Sequence, residues 1–398
     1  MARAGMIGRI CLPAVTVAAV LAALPAVAGA ASAQPRAVYT QTNQPTGNAV
    51  VWFARSADGR LTQRRSFPTG GRGAPNYHSH FPITDSQGSV VVNPQKTLLF
   101  AVNHGSRSVT SFRILRDGGL RRVQVASSGG KGPASLAINK DGLLYVVNEA
   151  PPASLQGFRV TADGRMLPTS RSARVLAHPE SSPGQVGFDA SGRFLVVSDR
   201  FVGASGVGQD DFEIFRPSRE GVLRAVRQLI SIPQEPYAFA FTSRNEMLVA
   251  NANNNAPLAS TTSSYRLDPG GRFTRVAAQP TSQTAGCWIA ISGDDRFAFV
   301  SNGGAPTVVA YAISPGGGFR NLSPGLITVS GLGGDVALSS GSAFLYVLNT
   351  DPSGILAMDP KAHADVDAFR VGNDGATTRI GTFGMGRLPF TSSGLAAL

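Results

Sequence analysis

Cysteine is nearly absent from this chain: Cys11 and Cys287 are the two thiols in 398 residues. Cys11 lies in an N-terminal apolar run that reads as a removable leader. Removal leaves one thiol, so a stabilising disulfide framework is excluded. Tryptophan is equally scarce, with Trp52 and Trp288 alone. Charged residues make up 15% against 42% hydrophobic, which excludes a disordered polyelectrolyte. Only four of the 36 basic residues are lysine, and no Lys/Arg run is interleaved with aromatics. A nucleic-acid partner is therefore not expected. Cofactor fingerprints are also missing. Gly129-Gly130-Lys131-Gly132 lacks the spacing and the following helix of a phosphate-binding loop, so no cofactor and no resident metal are expected.

One long hydrophobic run exists. Ile10 to Val27 is almost unbroken, follows Arg3 and Arg9, and precedes the small-x-small motif Ala31-Ser32-Ala33. This pattern predicts a secretory signal peptide over residues 1–33 and a secreted or periplasmic chain with no membrane span after cleavage. An uncleaved anchor is the alternative, and Pro13 and Pro25 weigh against it. Residues 34–398 then form a single domain.

Glycine and proline, at 46 and 26 residues, are abundant without a collagen period, which means many turns. They punctuate a repeat. A short apolar strand ending in Asn or Asp occurs seven times, closing at Asn43, Asn103, Asn148, Asp199, Asn251, Asn302 and Asn349. The period of about 50 residues is that of a propeller blade. Each copy is followed by an alternating strand and a Gly turn, such as Ala57-Asp58-Gly59 or Arg116-Asp117-Gly118. A further turn precedes six of the seven copies. The first copy lacks it, because the chain starts too late to supply an innermost strand. The tail Ser393-Gly394-Leu395-Ala396-Ala397-Leu398 resembles the innermost strands elsewhere, such as Ser135-Leu136-Ala137-Ile138. The sequence therefore predicts an all-β, seven-bladed β-propeller of four-stranded blades. Pairing of the C-terminal strand with the first blade closes the ring and removes open sheet edges.

The repeat style, with stretches such as Gly132-Pro133-Ala134-Ser135-Leu136-Ala137-Ile138 and Gly286-Cys287-Trp288-Ile289-Ala290-Ile291, resembles the lactonase family of seven-bladed propellers. That family includes 6-phosphogluconolactonase and the 3-carboxymuconate lactonising (cyclase) enzymes. The resemblance implies lactone chemistry at one mouth of the central channel. Where the family's enzymes place histidines at several blade starts, this chain carries Ser135, Gly184 and Trp288.

Lactone opening needs a general base, a stabiliser for the developing oxyanion and a handle for substrate anions. Loops after the Asn-ended strands are the expected place. Glu149, directly after Asn148, is the candidate general base. His104, after Asn103, is the accessory imidazole. Arg200 is the candidate anion handle, with Asp199 orienting it. Tyr237 and Trp288 are candidates for an aromatic floor under a flat ligand, and Asn251 and Asn302 for polar contacts to substrate. An insertion over Gly70–Gln87 carries His78 and His80, which share a face on an extended strand and read as part of a capping loop. His363, Asp365 and Asp367, at strand-like spacing, read as edge charges, and Cys287 reads as packing.

A net charge of +12 favours a small anionic ligand or an anionic envelope component, bound by a monomer. Two functions stay open: an exported lactonase-like hydrolase or cyclase, or a non-catalytic binding propeller in the cell envelope.

Overall fold

The computed structural model describes residues 1–2, 34–74, 86–169, 171–200, 211–230, 233–353, 359 and 361–398. The side chains of 227–230 and 324 are outside that description. The expected leader, apart from residues 1–2, and His78 and His80 lie outside the described residues. The chain divides into Met1–Ala33 and a unit running from Gln34 to Leu398. Among the described residues, no helix is long and apolar enough to cross a membrane.

The Gln34–Leu398 unit is a seven-bladed β-propeller. Blade 1 takes its innermost strand, Ser393–Ala397, from the C-terminus and continues outward through Ala37–Gln41, Ala49–Arg55 and Leu61–Pro68. The closure is antiparallel, with Val38 opposite Ala397 and Tyr39 opposite Ala396. Blade 2 runs Val90–Val92, Leu98–Asn103, Ser108–Ile114 and Leu120–Ser127. The inner three strands of blade 3 are Lys131–Ile138, Leu143–Ala150 and Ser154–Val160. Blade 4 runs Ser182–Phe188, Leu195–Arg200, Asp211–Pro217 and Leu223–Ile230, and blade 5 runs Pro236–Phe241, Glu246–Asn251, Thr261–Leu267 and Phe273–Pro280. Gly286–Ile291, Phe297–Asn302, Thr307–Ile313 and Phe319–Thr328 make blade 6. Leu332–Leu338, Phe344–Thr350, His363–Val371 and Thr377–Pro389 make blade 7.

One blade departs from the expected four strands. The outer edge of blade 3 is split into Met166–Pro168 and Arg174–Val175, both paired with Ser154–Val160. Pro168 has no N–H to continue the ladder. In the gap, the Ser172 hydroxyl accepts from the Gly157 N–H at 3.1 Å and donates to its carbonyl at 3.2 Å. A side chain thus takes over the bonds that a strand would have made.

Alternation along each strand puts apolar side chains on both faces, so the core lies between blades rather than in one centre. Leu144, Val146 and Phe158 of blade 3 meet Phe100 and Val102 of blade 2, while Tyr145 and Val147 meet Leu195 and Val197 of blade 4. The glycines of the seven Gly turns have φ between 81° and 95°, which a β-carbon would resist. Three of those turns receive a buried tyrosine from the preceding blade. Tyr39 donates to Gly118 O at 2.6 Å, Tyr145 to Gly221 O at 2.7 Å and Tyr346 to Gly59 O at 3.0 Å. Burial pushes all three phenols well above their ordinary range.

Strand direction fixes what lies on each face of the ring. Within a blade the chain runs down the first strand, up the second and down the third. The ends of the second strands, with His104, Glu149 and Arg200, therefore share one face, here called the Asn face. The Asp-Gly turns share the other.

Candidate functional site

His104 and Glu149 meet on the Asn face. Nε2 of His104 lies 2.9 Å from Oε1 of Glu149, joining blade 2 to blade 3. The two side chains are 10% and 16% exposed, so the pair is largely shielded from solvent. Nδ1 of His104 is buried with no hydrogen-bond partner among the described residues. A proton there would be a buried, unsatisfied donor. The geometry thus favours the tautomer with its proton on Nε2, donated to Glu149 Oε1, and Oε2 has no hydrogen bond to the described residues. Gly132 makes the contact possible: a β-carbon at this position would sit 2.9 Å from His104 Nε2, and its φ is +61°. Backbone bonds fix the His104 loop, with Gly105 N donating to Gly73 O at 2.9 Å and Ser128 N to Arg107 O at 2.9 Å. The exposed residues Arg72, Arg107 and Lys131 stand on the segments next to the pair.

Arg200 does not stand free beside them. It is the buried last residue of its strand. Nε donates to Ser182 O at 2.9 Å, and the guanidinium lies 4.4 Å from the centre of the Tyr237 ring. Its expected partner is also displaced. Asp199 and Arg200 are consecutive on a strand, so their side chains leave opposite faces of the sheet. Arg200 turns towards Tyr237 of blade 5. Asp199 falls with Asp211, its cross-strand partner, and with His178. Asp199 therefore does not orient Arg200.

Tyr237 and Trp288 do touch, edge to face with centroids 5.2 Å apart. Both are buried, with Arg200 over the tyrosine and Trp288 Nε1 donating to Ser86 O at 3.3 Å. They fill the space between blades 4, 5 and 6 and leave no open face for a flat ligand. Asn251 and Asn302 are fully buried too. Asn251 Nδ2 donates to Ser263 Oγ at 3.0 Å and Thr261 O at 3.2 Å, and Asn302 Nδ2 to Thr307 Oγ1 at 3.0 Å. In blades 5 and 6 these amides tie the second strand to the third, a structural task that needs no substrate.

Gln87, read from sequence only as the end of the insertion, is a central residue of this face. It crosses the channel at the Asn face and joins three blades. Its N–H donates to Gly184 O at 3.1 Å, and its carbonyl accepts from Ser135 Oγ at 2.6 Å. Its side-chain amide pairs with the Ile289 backbone in both directions, at 2.8 and 3.1 Å. Ser135, Gly184 and Trp288, the positions that differ from the family's histidines, all serve this crossing. At the same level Asp335 Oδ2 accepts from Gly394 N at 2.9 Å, and burial pushes its carboxyl up to about 7. Below Gln87 the channel opens as a cavity of about 650 Å³ towards the Asp-Gly turns. A groove of about 1040 Å³ between blades 3 and 4 is also on that far face, away from His104 and Glu149.

Two further clusters carry titratable groups. His178, Asp199 and Asp211 place one ligand atom each within 4.8 Å of the others, and Glu213 follows two residues on. His363 lies 3.5 Å from Asp365 and 4.0 Å from Asp351 beside a 200 Å³ pocket. Asp367 has left that group: its carboxylate is held by Arg379 at 2.7 Å and Ser330 N at 2.7 Å. Cys287 is buried at the start of its strand.

Residues 46–175 match the family model described as lactonase, 7-bladed beta-propeller. None of the curated proteins matches the chain in sequence. Solved structures match in fold. A Lactobacillus plantarum protein aligns with TM-score 0.67 at 17% identity, over 92% of this chain and 99% of its own. The periplasmic gluconolactonase of Pseudomonas aeruginosa aligns with TM-score 0.66 at 20% identity, over 91% and 99%. A candidate 6-phosphogluconolactonase of Bacteroides fragilis aligns with TM-score 0.64 at 15% identity, over 92% and 99%. The chain is a seven-bladed β-propeller, and its residues 46–175 match the lactonase family model.

Proposed function

We propose that this propeller hydrolyses a small anionic lactone on its Asn face, outside the cytoplasm, with Glu149 as general base and His104 as the group that orients it. The observation that carries this reading is the 2.9 Å contact between two shielded side chains of neighbouring blades. Glu149 Oε2 takes a proton from a water molecule as the water oxygen adds to the lactone carbonyl. The ring C–O bond then breaks, and the leaving alkoxide receives that proton, giving the hydroxy acid. The His104 Nε2–H bond to Oε1 holds the carboxylate in position through both proton transfers. Arg72, Arg107 and Lys131 around the pair favour a substrate bearing carboxylate or phosphate. The apolar run before Gln34 supports export. Similarity in fold to the Pseudomonas gluconolactonase agrees with the chemistry.

The test is proton release by purified protein given gluconolactone or 6-phosphogluconolactone. Turnover of the phosphorylated lactone is expected at lower KM than of the neutral one. Lys131→Ala should raise KM for the phosphorylated substrate alone, by about fivefold, as loss of one exposed charge contact implies. If neither lactone opens, the binding-propeller reading takes its place.

A further inference from the structure

Strand register sets two buried carboxylates face to face. Asp199 is the last-but-one residue of Leu195–Arg200, and Asp211 opens the next strand directly opposite it. Both are essentially without solvent exposure, at 1% and 0%. Glu213, two residues further, shares their face, because side chains alternate along the strand. That face is apolar otherwise, carrying Leu195, Val197 and Phe215 against Leu176 of the preceding segment. Like charges directly opposed across a strand pair destabilise the sheet, and burial raises the cost.

An imidazole completes the group. His178 belongs to the segment that links blade 3 to blade 4. Its Nε2 lies 3.2 Å from Asp211 Oδ2, and its side chain is 30% exposed. Glu213 positions that segment, since its Oε1 accepts from Ala177 N at 2.7 Å. One ligand atom from each of His178, Asp199 and Asp211 falls within a 4.8 Å circle.

The geometry points to a divalent-cation site formed by His178, Asp199 and Asp211, which pins the blade 3–blade 4 link onto blade 4. Nitrogen and oxygen donors about 2.1 Å from a zinc-like ion stand roughly 3.0 to 3.6 Å apart at the usual angles at the metal. The His178–Asp211 spacing of 3.2 Å already has that edge length. The outer limit of 4.8 Å needs a closure of about one ångström. One imidazole with two carboxylates suits a first-row ion such as Zn²⁺ or Mn²⁺ better than Ca²⁺, which prefers six to eight oxygens. The partly exposed imidazole gives the ion its way in. The site is separate from His104 and Glu149 and does not depend on the lactone reading, because its task is to hold the inter-blade link onto blade 4.

The experiment uses the full propeller, dialysed against EDTA and then against chelator-free buffer. Zn²⁺, Mn²⁺ and Ca²⁺ are titrated separately by calorimetry, and thermal unfolding is followed with and without each ion. One Zn²⁺ or Mn²⁺ per chain is expected, with a raised Tm and at least tenfold weaker binding of Ca²⁺. Asp211→Asn and His178→Gln should each weaken binding at least tenfold and abolish the rise in Tm. His178→Gln alters a partly exposed side chain and is expected to fold, as its circular dichroism will report. Binding at other than one site, or binding that survives both substitutions, overturns the proposal. Absence of any heat or Tm change with Zn²⁺ and Mn²⁺ overturns it equally.

Discussion

Gln87→Leu removes the bridge across the channel while nearly conserving volume. The wild-type amide makes two hydrogen bonds to Ile289, at 2.8 and 3.1 Å, and links the lead into blade 2 with blade 6. Each bond is worth about 1 kcal/mol net, and a buried N–H or C=O left unpaired costs a further 1–3 kcal/mol or so. Ile289 is 1% exposed, so water replaces the lost partner poorly. The expected destabilisation is about 3 kcal/mol. For a domain of this size, each kcal/mol lowers Tm by about 2 °C, giving a fall of about 6 °C. Thermal unfolding by circular dichroism measures it. Gln95→Leu is the control, because Gln95 makes an exposed bond to Lys140 O at 3.2 Å and should change Tm by less than about 1 °C. A fall below about 2 °C for Gln87→Leu would refute the bridge as a brace between blades.

Asp335 gives a pH test. Burial pushes its carboxyl up to about 7 from the ordinary value of 3.8, so the native state holds the extra proton between those values. Native stability therefore falls as pH rises from about 4 to about 7 through this group. Asp335→Asn should gain in Tm relative to wild type at pH 8 and not at pH 4, and an equal difference at both would contradict the assignment. Gly132→Ala should push the imidazole from Glu149, because the new β-carbon lies 2.9 Å from Nε2 at a φ of +61°. Lactone turnover should drop at least tenfold while the far-ultraviolet spectrum is kept, and unchanged turnover would count against the pair.

The repeat made the ring legible. Asn-ended strands and Asp-Gly turns report local backbone needs, and seven of each allow one closed architecture. The C-terminal strand was readable for the same reason, since its small apolar residues match the other innermost strands. The proposed pair, His104 and Glu149, could be picked out as candidates because both directly follow the repeated Asn. Asn251 and Asn302 misled for a related reason: the residue that recurs does so to tie strands together, not to meet a ligand. Asp199 misled because neighbours in sequence point apart on a strand. Alternation in Asp211-Phe212-Glu213, set against Asp199, was the available signal for the acidic face, but reading it requires the strand register. Gln87 acts across the ring and Asp335 between the neighbouring blades 7 and 1, with partners about 200 and 60 positions away, and no local pattern encodes such contacts.

The kcat/KM of Glu149→Gln on 6-phosphogluconolactone tests the proposed site most directly. Glutamine keeps the bond to His104 and the packing but cannot take a proton. A loss of at least about a hundredfold, with Tm within about 2 °C of wild type, is the expected result. Turnover equal to wild type would contradict it and remove Glu149 as the base.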